Sequence, residues 1–157
     1  MITAVDTNIF LDLLIPNARF VDESKAKLEK AHDEGGLIIC EVVWAELASQ
    51  FAEQTAIETF LCDTGIRRVP ATEDALFAAG RAWKTYRKRR VDRWHCAACS
   101  RVQREVQCDQ CGARLRGRQH IVSDFLIGAH ALHQADRLLS RDRGFYATYF
   151  GKLTLMV

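Results

Sequence analysis

At 157 residues, 48% hydrophobic and 27% charged, the chain is long enough for one domain with a real core, and its composition is that of an ordinary globular protein. No apolar run approaches the roughly 20 residues that span a bilayer, and Met1 leads straight into a strand-like run with no charged region or apolar stretch of a signal peptide. A membrane role is therefore not expected, and the cytoplasm is. The net charge of +2 hides an asymmetry: Arg81 to His120 holds twelve Lys/Arg against three acids, a net +9, and the remainder carries −7. Such a basic stretch is either the footprint of a polyanion or a solvated helix end followed by a soluble insert.

Strand and helix signals alternate along the chain. Ile2–Val5 reads as a short buried strand, and Asp6-Thr7-Asn8 is a helix-start cluster. A short helix follows over Ile9–Leu14, with Pro16 helping to end it. Phe20–His32 reads as a helix with Ala26, Leu28 and Ala31 near one face, broken by Gly35-Gly36. Leu37–Cys40 is a second strand. Val42–Phe51 has Val43, Trp44, Leu47, Ala48 and Phe51 at helical spacing, with Glu46 on the flank of that stripe. A further helix covers about Ala52–Cys62, and Gly65 separates it from a strand at Ile66–Val69. Thr72 caps a long helix to about Arg89, with Ala75, Leu76, Ala79, Ala82, Trp83 and Tyr86 inward. Ser123–Leu132 is helical, followed by strands at Arg137–Leu139 and near Leu153–Leu155. This alternation predicts an α/β fold, a three-layer α/β/α sandwich around a mainly parallel sheet. Residues 91–119 interrupt it and read as an insertion with its own small fold, inside a domain spanning 1–157.

Four acids sit where a hydrophobic segment ends or within or at the start of a helix: Asp6, Glu46, Asp124 and Asp142. Parallel strands deliver their loops to one sheet edge, so carboxylates far apart in sequence would converge there. Clustered carboxylates repel unless a cation neutralises them, and a hard divalent ion such as Mg²⁺ prefers oxygen ligands. The set suggests a metal site for phosphate chemistry. Each acid also has a plainer role: Asp6 as a helix cap, Glu46 as a surface residue, Asp124 as a first-turn carboxylate favoured by the helix dipole, and Asp142 as a turn former.

Cys96-Ala-Ala-Cys99 and Cys108-Asp-Gln-Cys111 are two C-x-x-C pairs separated by eight residues. Two such pairs supply a tetrahedral Cys₄ shell for a structural Zn²⁺, and Gly112 suits the tight turn that follows. The segment is too small for its own core, so the metal would supply its folding energy. Disulfides or free thiols are the alternative, with His95 a competing ligand. Cys40 and Cys62 stand in apolar contexts and are expected to be buried.

Val5-Asp-Thr-Asn-Ile-Phe-Leu-Asp12, Trp44-Ala-Glu-Leu47, Ser123-Asp-Phe-Leu-Ile-Gly-Ala-His-Ala131 and Leu138-Leu-Ser-Arg-Asp-Arg-Gly-Phe145 together resemble the PIN-domain ribonucleases, in particular the VapC-type toxins of prokaryotic toxin–antitoxin pairs. The resemblance covers the chain except about 91–119. It implies a Mg²⁺- or Mn²⁺-dependent endoribonuclease with Asp6, Glu46, Asp124 and Asp142 as the acidic positions. Ser140 and Thr7 match the small hydroxyls that hold those carboxylates. It also implies an RNA substrate, an antitoxin partner and a homodimer. The Cys₄ insert departs from most VapC-type toxins and is similar to the zinc ribbon of PIN nucleases of ribosome maturation. Arg101, Arg104, Arg114 and Arg116, on the insert, are the candidate RNA-backbone contacts. The alternatives are an rRNA-processing nuclease, a non-catalytic zinc-ribbon module that binds nucleic acid, and a partner-regulated protein whose insert contacts another chain.

Overall fold

The computed structural model describes residues 1–15, 19–89, 94–95, 102–103, 106–113 and 122–156. In chain order the first half contains β1 (Ile2–Val5), α1 (Thr7–Leu14), α2 (Val21–Glu34), β2 (Gly36–Ile39), α3 (Glu41–Ala48), α4 (Gln54–Asp63), β3 (Ile66–Arg68) and α5 (Glu73–Arg89). Two short strands follow, β4 (Trp94–His95) and β5 (Val102–Gln103). The chain then forms α6 (Val122–Gln134), β6 (Arg137–Leu139), α7 (Arg143–Tyr149) and β7 (Leu155–Met156).

The main sheet has five strands in the order β3-β2-β1-β6-β7, and every neighbouring pair is parallel. With its helices this is the three-layer α/β/α arrangement that the alternation predicts. Ala4, Val5, Leu37, Ile38, Ile39, Leu138 and Leu139 are each at most 2% exposed. Strands covered on both faces must be apolar on both, which is why they read as continuous hydrophobic runs. The chain leaves β1 toward β2 on one side and places β6 on the other. The β1/β6 boundary is thus the point where strand order reverses, and in open parallel sheets the crevice beyond the carboxyl ends there is where ligands bind. Gly35 permits the close start of β2: a Cβ there would collide with the Met1 carbonyl, which accepts the Gly36 N–H at 2.9 Å.

Several boundaries and faces differ from expectation. The 3.6-residue period puts Leu76 inward on α5, but it is 44% exposed beside Phe77 at 71%. The buried stripe runs instead through Ala75, Ala79 and Tyr86, the tighter i, i+4, i+11 line, with Trp83 stacked on Tyr86. Cys62 is exposed, because Ile57 and Leu61 take the inward face of α4. The last strand is Leu155–Met156, two residues later than its apolar run begins, since Leu153 closes a turn onto Phe150. Helix α7 is not foreseen at all. Its seven residues, Arg-Gly-Phe-Tyr-Ala-Thr-Tyr, have weak intrinsic helicity, and burial of Phe145 and Tyr146 holds it.

Within the stretch expected to be an insertion, β4 and β5 form a two-stranded antiparallel sheet with Trp94 opposite Gln103 and His95 opposite Val102. Among the described residues no helix is long and apolar enough to cross a membrane.

Candidate functional site

The pairing of Val5 with Leu139 sets the residues that follow, Asp6 and Ser140, side by side at the carboxyl edge of the sheet. The Asp6 N–H continues the ladder to the Leu139 carbonyl at 3.0 Å. Asp6 occupies the N-cap position of α1 but makes no side-chain cap bond. Its carboxylate is 6% exposed and accepts three hydrogen bonds at Oδ2: from Ser140 Oγ at 2.6 Å, Asn8 Nδ2 at 2.7 Å and the Tyr146 hydroxyl at 3.2 Å. Burial pushes its pKa up to about 6, against the opposing pull of the Ser140 and Tyr146 hydrogen bonds, and the neighbouring charges of Asp124 and Glu46 push it further in the same direction. Burial, reinforced by the Asp6 carboxylate, also holds the Tyr146 phenol well above its ordinary value, so it stays a donor.

Helices α3 and α6 bring the next two acids. Glu46 is half-buried and accepts a hydrogen bond from Thr7 Oγ1. Asp124 is half-buried in the first turn of α6. Asp142 is the N-cap of α7 and accepts the Phe145 N–H at 3.2 Å, while its own N–H donates to Ser140 Oγ at 3.0 Å. All four acids line one open cleft of about 440 Å³, together with Thr7, Asn8, Leu11, Ser49, Gln50 and Tyr146. Ser140 lies buried beside Asp6.

Four carboxylates with hydroxyl and amide oxygens are a donor set suited to a hard divalent cation. Among the described residues, however, no three His, Cys, Asp or Glu side chains are grouped closely enough to hold an ion. The fit is therefore one of donor chemistry, without a closed shell. Two of the acids each use one oxygen on another partner, Glu46 Oε2 on Thr7 and Asp142 Oδ1 on the Phe145 N–H.

Two residues in the cleft escape sequence reasoning. Asn8 bridges Asp6 and Ser140 (3.1 Å to Ser140 Oγ) and accepts the Arg141 N–H at 3.2 Å. Its place in Asp6-Thr7-Asn8 marks it only as a helix-start residue. Tyr146 lies on the unforeseen α7, and its spacing of four from Asp142 on one helix face is the signal that would have found it.

Farther along the chain, Cys108 and Cys111 flank a tight turn. Cys108 N–H donates to the Ala113 carbonyl at 2.8 Å, and Gly112 N–H to the Cys108 carbonyl at 2.9 Å. Gly112 has φ +70°, the left-handed region open to glycine. Backbone N–H groups of Cys111 and Gln110 point at the Cys108 sulfur and, with the Cys111 thiol, lower its pKa. Cys40 is buried, and burial raises its thiol pKa. Cys96, Cys99, Arg101, Arg104, Arg114 and Arg116 lie outside the described residues, so the four-cysteine shell and the arginine grip remain expectations.

The model of the PIN domain matches residues 3–106, more than half of the chain. The chain belongs to the PIN-domain family. The matched stretch contains Asp6 and Glu46 and ends before Asp124 and Asp142. Two solved structures carry the likeness to full length. A chain in the crystal structure of VapBC2 from Rickettsia felis bound to a DNA fragment from their promoter is 18% identical, with a TM-score of 0.61 over 99% of this chain and 98% of that one. A chain of VapBC-1 from nontypeable Haemophilus influenzae is also 18% identical, with a TM-score of 0.62 over 99% and 97%. At that identity the likeness is one of fold. No curated protein matches the chain.

Proposed function

We propose that this PIN-domain protein is a Mg²⁺- or Mn²⁺-dependent endoribonuclease, the toxin of a toxin–antitoxin pair. The observation that carries the chemistry is the convergence of Asp6, Glu46, Asp124 and Asp142 on one cleft at the strand-order reversal. A divalent ion there supplies charge neutralisation for a phosphate and a water of lowered pKa as nucleophile. Asp6, Asp124 and Asp142 are its ligands, directly or through water. Glu46 binds the ion or orients the attacking water, with Thr7 holding its carboxylate. Ser140, Asn8 and Tyr146 fix the rotamer of Asp6 through Oδ2, and none of the three bonds uses Oδ1.

Family membership supports the nuclease reading, and the full-length likeness to chains of two VapBC assemblies supports the toxin role and an antitoxin partner. Cys96, Cys99, Cys108 and Cys111 hold a structural Zn²⁺. The left-handed Gly112 and the N–H groups aimed at Cys108 Sγ suit a thiolate at one corner of that shell. Arg101, Arg104, Arg114 and Arg116 grip the RNA backbone. The insert also favours a second reading, in which the same nuclease acts in RNA maturation.

Cleavage of end-labelled RNA with and without chelator tests this. Cleavage that stops in EDTA and returns with Mg²⁺ or Mn²⁺ is the expected result. RNA that is bound but never cut, in either metal, would leave a nucleic-acid-binding module on a silent scaffold.

A further inference from the structure

Between Ser140, buried beside Asp6, and Asp142, which lines the cleft, stands a residue whose side chain points elsewhere. The Arg141 side chain reaches to α1, where its Nε pairs with Asp12 Oδ2 at 2.8 Å. Its guanidinium lies over the Phe20 ring, 4.4 Å from the centroid, at the start of α2. Asp12 is a carboxylate 4% exposed and does not line the cleft. A second donor meets the same oxygen, Ser24 Oγ from α2 at 2.6 Å. A buried carboxylate is costly unless paired and hydrogen-bonded. Here the partner it secures is the loop between β6 and α7. That loop leaves the sheet ladder after Leu139, and its described ties to α1 and α2 are few: Asn8 Nδ2 to Ser140 Oγ at 3.1 Å, Arg141 N–H to Asn8 Oδ1, and Arg141 to Asp12 and the Phe20 ring, with Arg143 at the head of α7 reaching Glu23 at 3.8 Å. The planar guanidinium uses its edge on the carboxylate and its face on the ring, two constraints an ammonium cannot satisfy together.

We propose that Arg141, anchored by Asp12, is a positioning residue that clamps the Ser140–Asp142 loop onto α1 and α2 and so sets the affinity of the cleft for its divalent ion. The clamp stands on geometry alone, and its consequence for the ion rests on the reading of the cleft given above. Two measurements on the full-length protein separate these. The first is amide hydrogen exchange over residues 140–146 without metal. Arg141→Ala should speed exchange at Asp142 and Phe145, whose N–H groups bond Ser140 and Asp142, while the β6 amides keep their protection. The second is the Mn²⁺ dissociation constant, by calorimetry. It should rise about tenfold, the scale seen when an outer-shell partner of a ligand is lost, with cleavage at saturating Mn²⁺ restored close to wild type.

Arg141→Lys, which keeps the charge, should recover part of both effects and provides the readout if the alanine variant does not fold. Asp12→Asn should reproduce Arg141→Ala. Unchanged exchange over the loop in a folded Arg141→Ala protein overturns the clamp. A loosened loop with unchanged Mn²⁺ affinity overturns its link to the ion. A wild-type protein that binds no Mn²⁺ overturns the divalent-site reading and that link with it, while loop exchange still decides the clamp.

Discussion

The carboxylate cleft and the cysteine turn both gather ligand-type side chains, but by opposite means. In the cleft, Asp6 is 6% exposed on a sheet whose neighbouring residues Val5 and Leu139 are buried. The apolar core drives folding and brings the charges together as a by-product, against their own preference for water. In the turn, no described side chain from residue 106 to 113 is buried. Backbone hydrogen bonds and a left-handed glycine shape it, and no apolar burial holds it there. A cation at the cleft would relieve a cost already incurred, whereas one at the turn would supply the stability that is missing. Removing metal should therefore leave the body folded and inactive, and undo the insert.

The largest expected effect is on turnover. Asp6→Asn and Asp124→Asn keep the shape of the side chain but not the charge that neutralises the ion. Each should lower cleavage by more than about a hundredfold, the scale of losing one charge-stabilising group, with circular dichroism unchanged. More than a tenth of wild-type turnover in both variants, with metal bound, would remove the carboxylates from the reaction.

Next is the fate of the insert. Protein made under reducing conditions should carry about one zinc per chain, held against mild EDTA, whereas the cleft ion should exchange freely. Cys108→Ser should lose the zinc and raise hydrogen exchange around Gly112, yet leave the melting of the α/β body nearly unchanged. Elemental analysis that finds no zinc would erase the contrast between the two regions.

The two regions also differed in how far the sequence revealed them. β1, β2 and β6 were legible because strands covered on both faces must be apolar, whereas β3, an edge strand with Arg67 and Arg68 exposed, was marked by Gly65 and the buried Ile66. The acids were legible because strand ends in a parallel sheet share one edge. Their roles were less so. Asp6 stands at an N-cap without using its side chain to cap, while Asp142 caps α7 and also lines the cleft, so the plainer and the functional readings of a carboxylate are not exclusive. Helix α7, with Tyr146, was hidden because tertiary burial, not propensity, makes it a helix. Leu76 misled because a helical stripe is wider than the face that α6, packed against α5, can cover. Cys62 misled because an apolar neighbourhood in sequence does not fix which side of α4 a residue takes.

A smaller effect is expected in substrate binding. Replacing Arg101, Arg104, Arg114 and Arg116 with Ala should raise the RNA dissociation constant and make its logarithmic salt slope shallower by up to about 3, at about 0.7 per lost phosphate contact. Single-turnover cleavage at saturating RNA should hardly move, because the carboxylates stay in place. An unchanged salt slope would reassign the insert to a protein contact.

The smallest effect concerns the cost the body bears, and it reads the comparison from the cleft side. Asp6 titrates at about 6 when folded, against an ordinary value of 3.8. The folded state therefore takes up the proton more readily than the unfolded chain. Metal-free protein should lose stability as pH rises from about 4 to about 6, and above that the penalty is present in full. Asp6→Asn removes the charge, and its amide oxygen can still accept from Ser140, Asn8 and Tyr146. The variant should be more stable than wild type at pH 7.5 by about 1–3 kcal/mol, the worth of a shift of this size, and the gain should vanish below about pH 4. Added Mg²⁺ should stabilise wild type and not the variant, closing the gap. Chemical denaturation at several pH values in EDTA measures this directly. A variant no more stable than wild type at pH 7.5 would mean that Asp6 is not a strained charge, and that the cleft does not owe its assembly to a core working against it.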